Sequence, residues 1–442
     1  MTSTTLLKNR GAHMSVQRQD TIVIGGGLAG LVIARELCAA GRSVTILEAR
    51  SRLGGRVYFD SVKGTDESAE LGGQWIDPNY QPLIAAEINR YNLEITHGDP
   101  GTEQRTVSGD QVLHGMLPIP PDDIVDLERG VWECLAASRR IEYGRPWEEQ
   151  GLDDLDVSWA EYVRGLKLSP AVEEYLMTWT SASDPEQSSA LNILVLFATF
   201  GHSAWAAYNS MELKFTHGTA SLVDAITSEV RAEIHLDTVV AHVEQSADEV
   251  TVTTADGRTF TATTAVLATP VNTWEDVTFS PPLSEAKQEV SRLKHVGTGQ
   301  KIWMQLTDTP AGGVLGWGFG KGVNWLLRDR QLSEGGDLYV GFTGGGSLDV
   351  DDHDAIRDAV RVFAPEAEVT RTFEHNWLKD PYAKGGWAVF RPGHFTRFHS
   401  ELSRPEGRLH FAGADLSFGQ QLWMEGAFET GFQVADRLLR RK

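Results

Sequence analysis

One stretch constrains this chain more than any other. Thr21-Ile22-Val23-Ile24 reads as a buried strand, runs into Gly25-Gly26-Gly27-Leu28-Ala29-Gly30, and continues as a helix-like pattern from Leu31 to Ala40. After Gly41 a second strand follows, Ser43-Val44-Thr45-Ile46-Leu47-Glu48. Strand, glycine turn, helix and strand form a βαβ unit that carries a dinucleotide-binding fingerprint in its proper context. Gly25 permits the tight turn, Gly27 lets the backbone approach a pyrophosphate, and Gly30 lets helix and strand pack closely. Leu28 and Ala29 belong to the turn before the helix N-terminus, whose unpaired N–H groups favour phosphate. Glu48 ends the second strand, where its carboxylate can accept both hydroxyls of a ribose. The fingerprint alone does not separate NAD from FAD.

Composition narrows the partners. The 442 residues suggest two or three domains at roughly 150 residues each. Asp plus Glu number 61 against 40 Lys plus Arg, a formal net charge of -21. That balance argues against nucleic acid, which binds through neutralised phosphates, and against anionic membrane surfaces. Cys38 and Cys134 offer neither a disulfide framework nor a metal spacing, which fits a reducing, cytoplasmic setting. The 13 histidines show no ligand spacing either, so no metal is expected. Met1 to Gln19 has only Leu6-Leu7 as an apolar core, short of the roughly 7–15 apolar residues of a secretory signal. It reads as a disordered leader, or as sequence upstream of a start at Met14. Leu191 to Phe200 is the most apolar run, but Asn192 and Thr199 break it, and about 20 apolar residues are needed to span a bilayer.

Residues 120–205 read mostly as helix, with amphipathic stretches at Asp122–Ile141 and Ala171–Thr180. Around residue 250 the pattern turns to short alternating strands: Glu249–Thr253, the turn Ala255-Asp256-Gly257-Arg258, then Thr259–Thr263. Ala265-Val266-Leu267-Ala268-Thr269-Pro270 predicts a separate buried strand of parallel type. Strands and helices mix through 295–400, and a helix from Met424 to Arg440 ends the chain. The expected class is α/β with two interleaved domains. A nucleotide-binding domain draws on 20–98, 210–275 and 405–442, and a second domain with a mixed sheet and helices draws on 99–209 and 276–404.

The residues after Glu48 decide the cofactor. Ala49-Arg50-Ser51-Arg52-Leu53-Gly54-Gly55-Arg56 continues the unit, and Glu70-Leu71-Gly72-Gly73-Gln74-Trp75 follows. Near the end stand Phe411-Ala412-Gly413-Ala414-Asp415 and Trp423-Met424-Glu425-Gly426-Ala427. With these motifs, nearly the whole chain from Thr21 onward resembles the flavin-dependent amine oxidase family. The resemblance implies FAD, held by a Rossmann-like domain of non-contiguous segments beside a substrate domain. It implies that Ala49, Arg50, Gly55 and Arg56 run along the pyrophosphate and that Gly72 and Gly73 lie near the isoalloxazine. Gln74 and Trp75 would line the pocket on the re face. Gly413, Ala414, Asp415, Trp423 and Met424 match the closing flavin motif, whose helix aims its N-terminus at the flavin N1–C2=O edge. Asp415 stands where many relatives carry glutamate. Ser221–Ala225, Asp237–Val240, Ala268–Trp274 and Gly299–Trp303 are similar to a bacterial branch that oxidises a hydroxylated pyridine alkaloid, and imply an adenine contact at the Val240 backbone. The stretches Trp179–Asp184 and Trp325–Arg328 lack the asparagine and tyrosine expected for that substrate.

Lys301 lies on an apolar strand, Lys301-Ile302-Trp303-Met304. By the resemblance it reaches flavin N5 through a water, where a buried cation stabilises reduced oxygen species. The residue pattern alone equally allows a strand-end lysine that snorkels to solvent. Trp387 and Trp423 match the two positions of the family's aromatic cage, where facing rings leave a slot for the amine. Trp377 resembles a tryptophan beside the isoalloxazine. Gly386 stands where some relatives carry a flavin-linking cysteine, which implies non-covalent FAD. The implied reaction moves a hydride from the α-carbon of a neutral primary or secondary amine to the flavin, giving an imine and then a carbonyl, with hydrogen peroxide from O2. A dehydrogenase or desaturase with a non-oxygen acceptor, and a flavin-fold isomerase or binding protein, are the alternatives. An L-amino acid oxidase would need a buried arginine, for which Arg328 and Arg391 are the candidates. The expected partners are a small amine and O2, with a homodimer left open.

Overall fold

The computed structural model describes residues 18–62, 65–180, 183–344 and 348–440, so the leader expected at 1–19 falls almost wholly outside the described residues. The glycine turn founds the first sheet. β1 (Gln19–Ile24) pairs in parallel with β2 (Val44–Leu47), and α1 (Leu28–Ala39) crosses between them. The helix starts at Leu28 rather than Leu31, because Gly27, extended at φ -74° and ψ 178°, already turns the chain into it. Gly25 takes φ +106°, and a Cβ on Gly30 would fall 2.0 Å from the Gly25 carbonyl oxygen, so no larger residue fits.

Across this eight-stranded sheet stand, in order, Glu233–His235, β2, β1, Thr259–Leu267, Val250–Thr254, Val240–Gln245 and Thr278–Ser280, with Leu409–Phe411 also pairing to Thr259–Leu267. Thr259–Leu267 is one strand, where two were expected. Its first half pairs antiparallel with Val250–Thr254, and its second half runs parallel to Leu409–Phe411. The alternating half and the continuously apolar half are therefore one strand that changes its neighbour, and Ala268–Pro270 lie beyond it.

A second, seven-stranded sheet has the order Glu368–Phe373, Gln300–Thr307, Asp337–Thr343, Val323–Gln331, Val314–Trp317, Glu103–Ser108 and Gln111–His114. It is antiparallel except between Val314–Trp317 and Glu103–Ser108. A small sheet joins Trp75–Ile76, Leu213–Phe215 and Ile95–His97. The helical layer contains Ile124–Ser138, Trp159–Gly165, Pro170–Met177 and Leu191–Thr199. The helix expected over Asp122–Ile141 is shorter, preceded by a tight turn at Pro121–Asp123, and Ala171–Thr180 likewise ends in a tight turn at Thr178–Thr180. Among the described residues no single helix is long and apolar enough to cross a membrane; Leu191–Thr199 is buried in the core.

The C-terminal helix Met424–Arg440 locks these layers together. Its Glu425 carboxylate accepts the N–H groups of Leu83 at 2.9 Å and Ile84 at 2.7 Å, and so caps the helix Pro82–Tyr91. This satisfies donors that a helix cannot satisfy itself.

His295, His394 and His399 are buried, and burial holds each imidazole down at about 4. An unfolded histidine titrates near 6.5, so the unfolded state takes up protons first as pH falls. The stability these groups allow is therefore complete above about 6.5 and is lost as pH drops toward 4. His399 packs among Trp147, Phe390, Phe395 and Phe418. His399→Phe should accordingly lose less stability than the parent between about pH 6.5 and pH 5, measured by denaturant titration. Equal losses in the two proteins would refute this assignment.

Candidate active site

Loops at the ends of the first sheet, part of the second sheet and the helical layer enclose a cavity of about 1050 Å³. Its walls include Gly25, Gly27, Leu28, Ala29, Glu48, Ala49, Arg50, Gly55, Arg56, Gly72, Gly73, Gln74, Trp75, Val240, Lys301, Trp377, Trp387, Gly413, Ala414, Trp423 and Met424. Residues singled out from distant parts of the chain thus meet at one space. Two of the residues expected to hold the cofactor do not line it. Gly30 lies behind the turn, and Asp415 lies behind Arg56.

At the nucleotide end the turn aims Glu48. This buried carboxylate accepts the Gly26 N–H at 2.6 Å and the Arg50 N–H at 2.8 Å. A carboxylate retains further lone pairs for a diol. The N-terminus of α1 has no side-chain cap and no acid in its first turn, and it opens on the cavity at Gly27, Leu28 and Ala29. Such an end binds anions. A long cavity, an uncapped helix end beside it and a buried carboxylate at one extremity together fit a dinucleotide. Val240 opens the strand Val240–Gln245 on the same wall.

Two arginines brace this wall. Arg50 donates to Asp380 at 2.8 Å, and its guanidinium lies against Trp377 and Tyr382. Against the pull of burial, hydrogen bonds from His375 and Arg50 hold the Asp380 carboxyl well below the carboxylate range. Arg56 donates to the Gly386 carbonyl at 2.7 Å and pairs with Asp415, whose other oxygen accepts the Val271 N–H at 3.0 Å. Burial would raise the Asp415 carboxyl, but Arg56 keeps it below its ordinary value.

At the other end Lys301 is buried and spends its ammonium protons on the chain. Nζ donates to the carbonyls of Glu70 at 2.7 Å and Gly72 at 3.1 Å, and to Gln74 Oε1 at 2.8 Å. The indoles of Trp75 and Trp303 each lie 5.0 Å away. Burial pulls this ammonium below the ordinary lysine value and pushes the nearby Glu70 carboxyl above its own. Lys301 is therefore not a snorkelling side chain. It borders the cavity while pinning the 70–74 segment.

Trp387 and Trp423 both border the cavity. Trp387 rests on Phe342 at 5.8 Å, and Trp423 rests on Phe200 at 5.4 Å. From Trp387 a run of ring contacts leads through Phe342, Trp325, Trp317 and Tyr208 to the exposed Trp205. Trp377 donates its indole N–H to the Leu71 carbonyl at 2.8 Å. Arg328 and Arg391 do not line the cavity. The first pairs with Asp99 and Asp337, and the second donates to Gln187.

Several residues of the site went unread in the sequence. Glu70 accepts the Thr219 N–H and hydroxyl at 2.6 Å each, and Asp329 binds Lys214, Arg330 and Gln74. The only signal was a charged Arg-Asp-Arg run closing the apolar strand Val323–Gln331.

This geometry defines a dinucleotide-binding site with an aromatic chamber beside it. The profile of flavin containing amine oxidoreductases matches residues 28–439, and the chain belongs to that family. It is 37% identical over 425 residues to (S)-6-hydroxynicotine oxidase of Paenarthrobacter nicotinovorans, covering 95% of this chain and 99% of that one. It is 32% identical to pseudooxynicotine dehydrogenase of a Pseudomonas species, over 94% of this chain and 85% of the relative. Among solved structures, putrescine oxidase bound to putrescine superposes with a TM-score of 0.86 at 21% identity, covering 96% and 99% of the two chains. Cyclohexylamine oxidase from Brevibacterium oxydans IH-35A gives a TM-score of 0.80 at 21% identity, over 95% and 98%. These two share the fold. The protein is a flavin-dependent oxidoreductase acting on amines, with FAD as its cofactor, as its motifs implied.

Asp415 anchors Arg56 from behind the cavity wall. Removing one partner of a buried ion pair strands the other and costs about 3 kcal/mol or more. Asp415→Ala should lower stability by about that amount and weaken FAD retention, read by denaturant titration and by flavin loss on gel filtration. Unchanged stability and full flavin content would show the pair to be dispensable.

Proposed function

We propose that the enzyme oxidises an apolar or aryl-bearing monoamine, primary or secondary, and passes the electrons to O2. One observation carries the substrate reading. The charged residues lining the cavity are Glu48, Arg50, Arg56, Asp276 and Lys384 around the nucleotide wall, and Lys301. The arm that follows the rings from Trp387 to Tyr208 bears no carboxylate and no arginine among the described lining residues. Between Phe342, Trp325 and Trp317, where the rings are buried, a second ammonium or a carboxylate on the substrate would lack a partner, at a cost of several kcal/mol. Two relatives are named for nicotine derivatives, which supports an aryl-bearing amine.

FAD, when bound, supplies the two-electron redox chemistry. The chain's own part is to hold the amine and keep water out. Trp387 and Trp423 orient the amine, and the apolar wall disfavours its protonated form, so the neutral amine is the reacting species. Lys301 favours O2, since a fixed buried cation stabilises reduced oxygen species. The name of one relative, a dehydrogenase, favours a second reading with a non-oxygen acceptor. A Cβ on Gly386 would lie 3.6 Å or more from other atoms, and glycine offers no thiol, which supports non-covalent FAD. The nucleotide domain is taken as 20–98, 210–275 and 405–442 and the substrate domain as 99–209 and 276–404, and the pairing of Thr278–Ser280 with Val240–Gln245 supports moving the boundary near 275 to 280. Cys38 and Cys134 are both free, which fits a reducing, cytoplasmic setting.

A peroxide-release assay in air over aryl-alkyl, cyclic secondary, diamine and amino acid substrates tests both parts. Peroxide from the first two classes, with diamines and amino acids poor, is expected. Preference for a diamine would overturn the substrate reading, and turnover only with an added electron acceptor would overturn O2.

The cage has its own test. A misplacement of about 1 Å can cost on the order of 100-fold in rate. Trp423→Ala should slow flavin reduction at saturating amine at least about tenfold with FAD still bound. A normal reduction rate with a lowered melting temperature would make Trp423 a packing residue only.

A further inference from the structure

Beneath Lys301 lies a buried polar chain that the amine chemistry does not by itself require. Asp329 is on the strand Val323–Gln331, and its side chain is 5% exposed. One carboxylate oxygen accepts from Gln74 Nε2 at 3.1 Å and Lys214 Nζ at 2.5 Å, and the other accepts from Arg330 at 2.6 Å. Gln74 is itself buried and offers its Oε1 to Lys301 Nζ at 2.8 Å.

The direction of this chain is dictated by chemistry. An ionised carboxylate only accepts hydrogen bonds and an ammonium only donates them. The amide between them therefore has one orientation that satisfies both, nitrogen toward Asp329 and oxygen toward Lys301. We propose that Asp329 is a positioning residue for Lys301, acting through Gln74 to keep the ammonium charged and fixed at the cavity wall. This rests on the reading of Lys301 as part of the reaction centre.

The groups that face Lys301 allow the assignment. Glu70 contributes a carboxylate, but its oxygens are taken by the Thr219 N–H and hydroxyl. The ammonium touches carbonyl and amide oxygens instead. Lys214, across Asp329, is a like charge that opposes protonation of Lys301. Arg330 lies farther out and also donates to Glu67 at 3.0 Å and to the Ser68 carbonyl at 2.7 Å. Asp329 is thus the carboxylate connected to Lys301 through a side-chain relay, and it offsets Lys214. Replacing it by asparagine removes a negative charge, exposes Lys301 to Lys214 and frees the Gln74 amide to turn over.

The test follows the flavin absorption spectrum of the oxidised holoenzyme from about pH 6 to 11, alongside stopped-flow reoxidation by O2 over the same range. The parent is expected to show one spectral step from Lys301, matched by a fall in reoxidation rate above it. Asp329→Asn should move both downward by about one pH unit, a tenfold change in proton affinity. Asp329→Glu should restore most of that shift, and anaerobic reduction by amine should change less than twofold. Gln74→Met should move both in the same direction, since Lys301 loses the amide oxygen, and Asp329→Asn added to it should shift them less than it does alone, because part of the effect passes through the amide and the rest is the field of Lys214. Should Asp329→Asn lose its flavin, Asp329→Ser takes its place in the same titration. Lys301→Met should abolish the step. If the step persists in Lys301→Met, the reading of Lys301 fails. If Lys301→Met abolishes it while Asp329→Asn or Gln74→Met leaves it unmoved, the role of Asp329 fails and that of Lys301 stands.

Discussion

The ion pair between Arg56 and Asp415 is the constraint on which the site depends. Arg56 follows the first βαβ unit, Asp415 follows the strand Leu409–Phe411, and their partners Gly386 and Val271 come from two further segments. One guanidinium and one carboxylate thereby tie four stretches together, the pair itself 359 positions apart in the chain. A buried carboxylate is tolerated only while its charge and lone pairs are met, so these stretches hold position together. The walls that carry Trp387 on one side and Met424 on the other are fixed relative to the glycine turn by that requirement.

Within the walls, two environments adjoin. The nucleotide end is polar and built largely from backbone: an uncapped helix terminus, a carboxylate steered by two N–H groups, and arginines already spent on Asp380 and Asp415. The other end is aromatic, with Lys301 as a buried charge whose protons are engaged by its own chain. A cation held in this way is fixed in place, and burial lessens the screening of its field.

Some of this was legible in the residues and some was not. The glycine turn reads directly, because its sterics are local: Gly25 needs its positive φ and Gly30 has no room for a Cβ. Lys301 announced itself as a charge on an apolar strand. Its ligands did not, since two are backbone carbonyls of the 70–72 segment, which leave no trace in side-chain pattern. Asp415 was legible as part of a motif but not as an anchor behind Arg56. Glu425 stood in the Trp423–Ala427 motif without a role of its own, yet it caps a different helix. The single strand Thr259–Leu267 looked like two because its neighbour changes midway.

By itself the sequence determined the βαβ unit, which rests on spacing within a short segment and on local sterics, and the resemblance of its later motifs to the flavin amine oxidases implied the cofactor and the family. Only the tertiary structure decided what faces the cavity. Alternation along Val323–Gln331 or Asp337–Thr343 tells which side chains share a face, but not which face closes over the cavity or which rings it meets there. Trp317, Trp325 and Phe342 become one wall with Trp387 through strand pairing and loop placement between distant segments. Such contacts depend on how separate layers pack, and no local pattern encodes them.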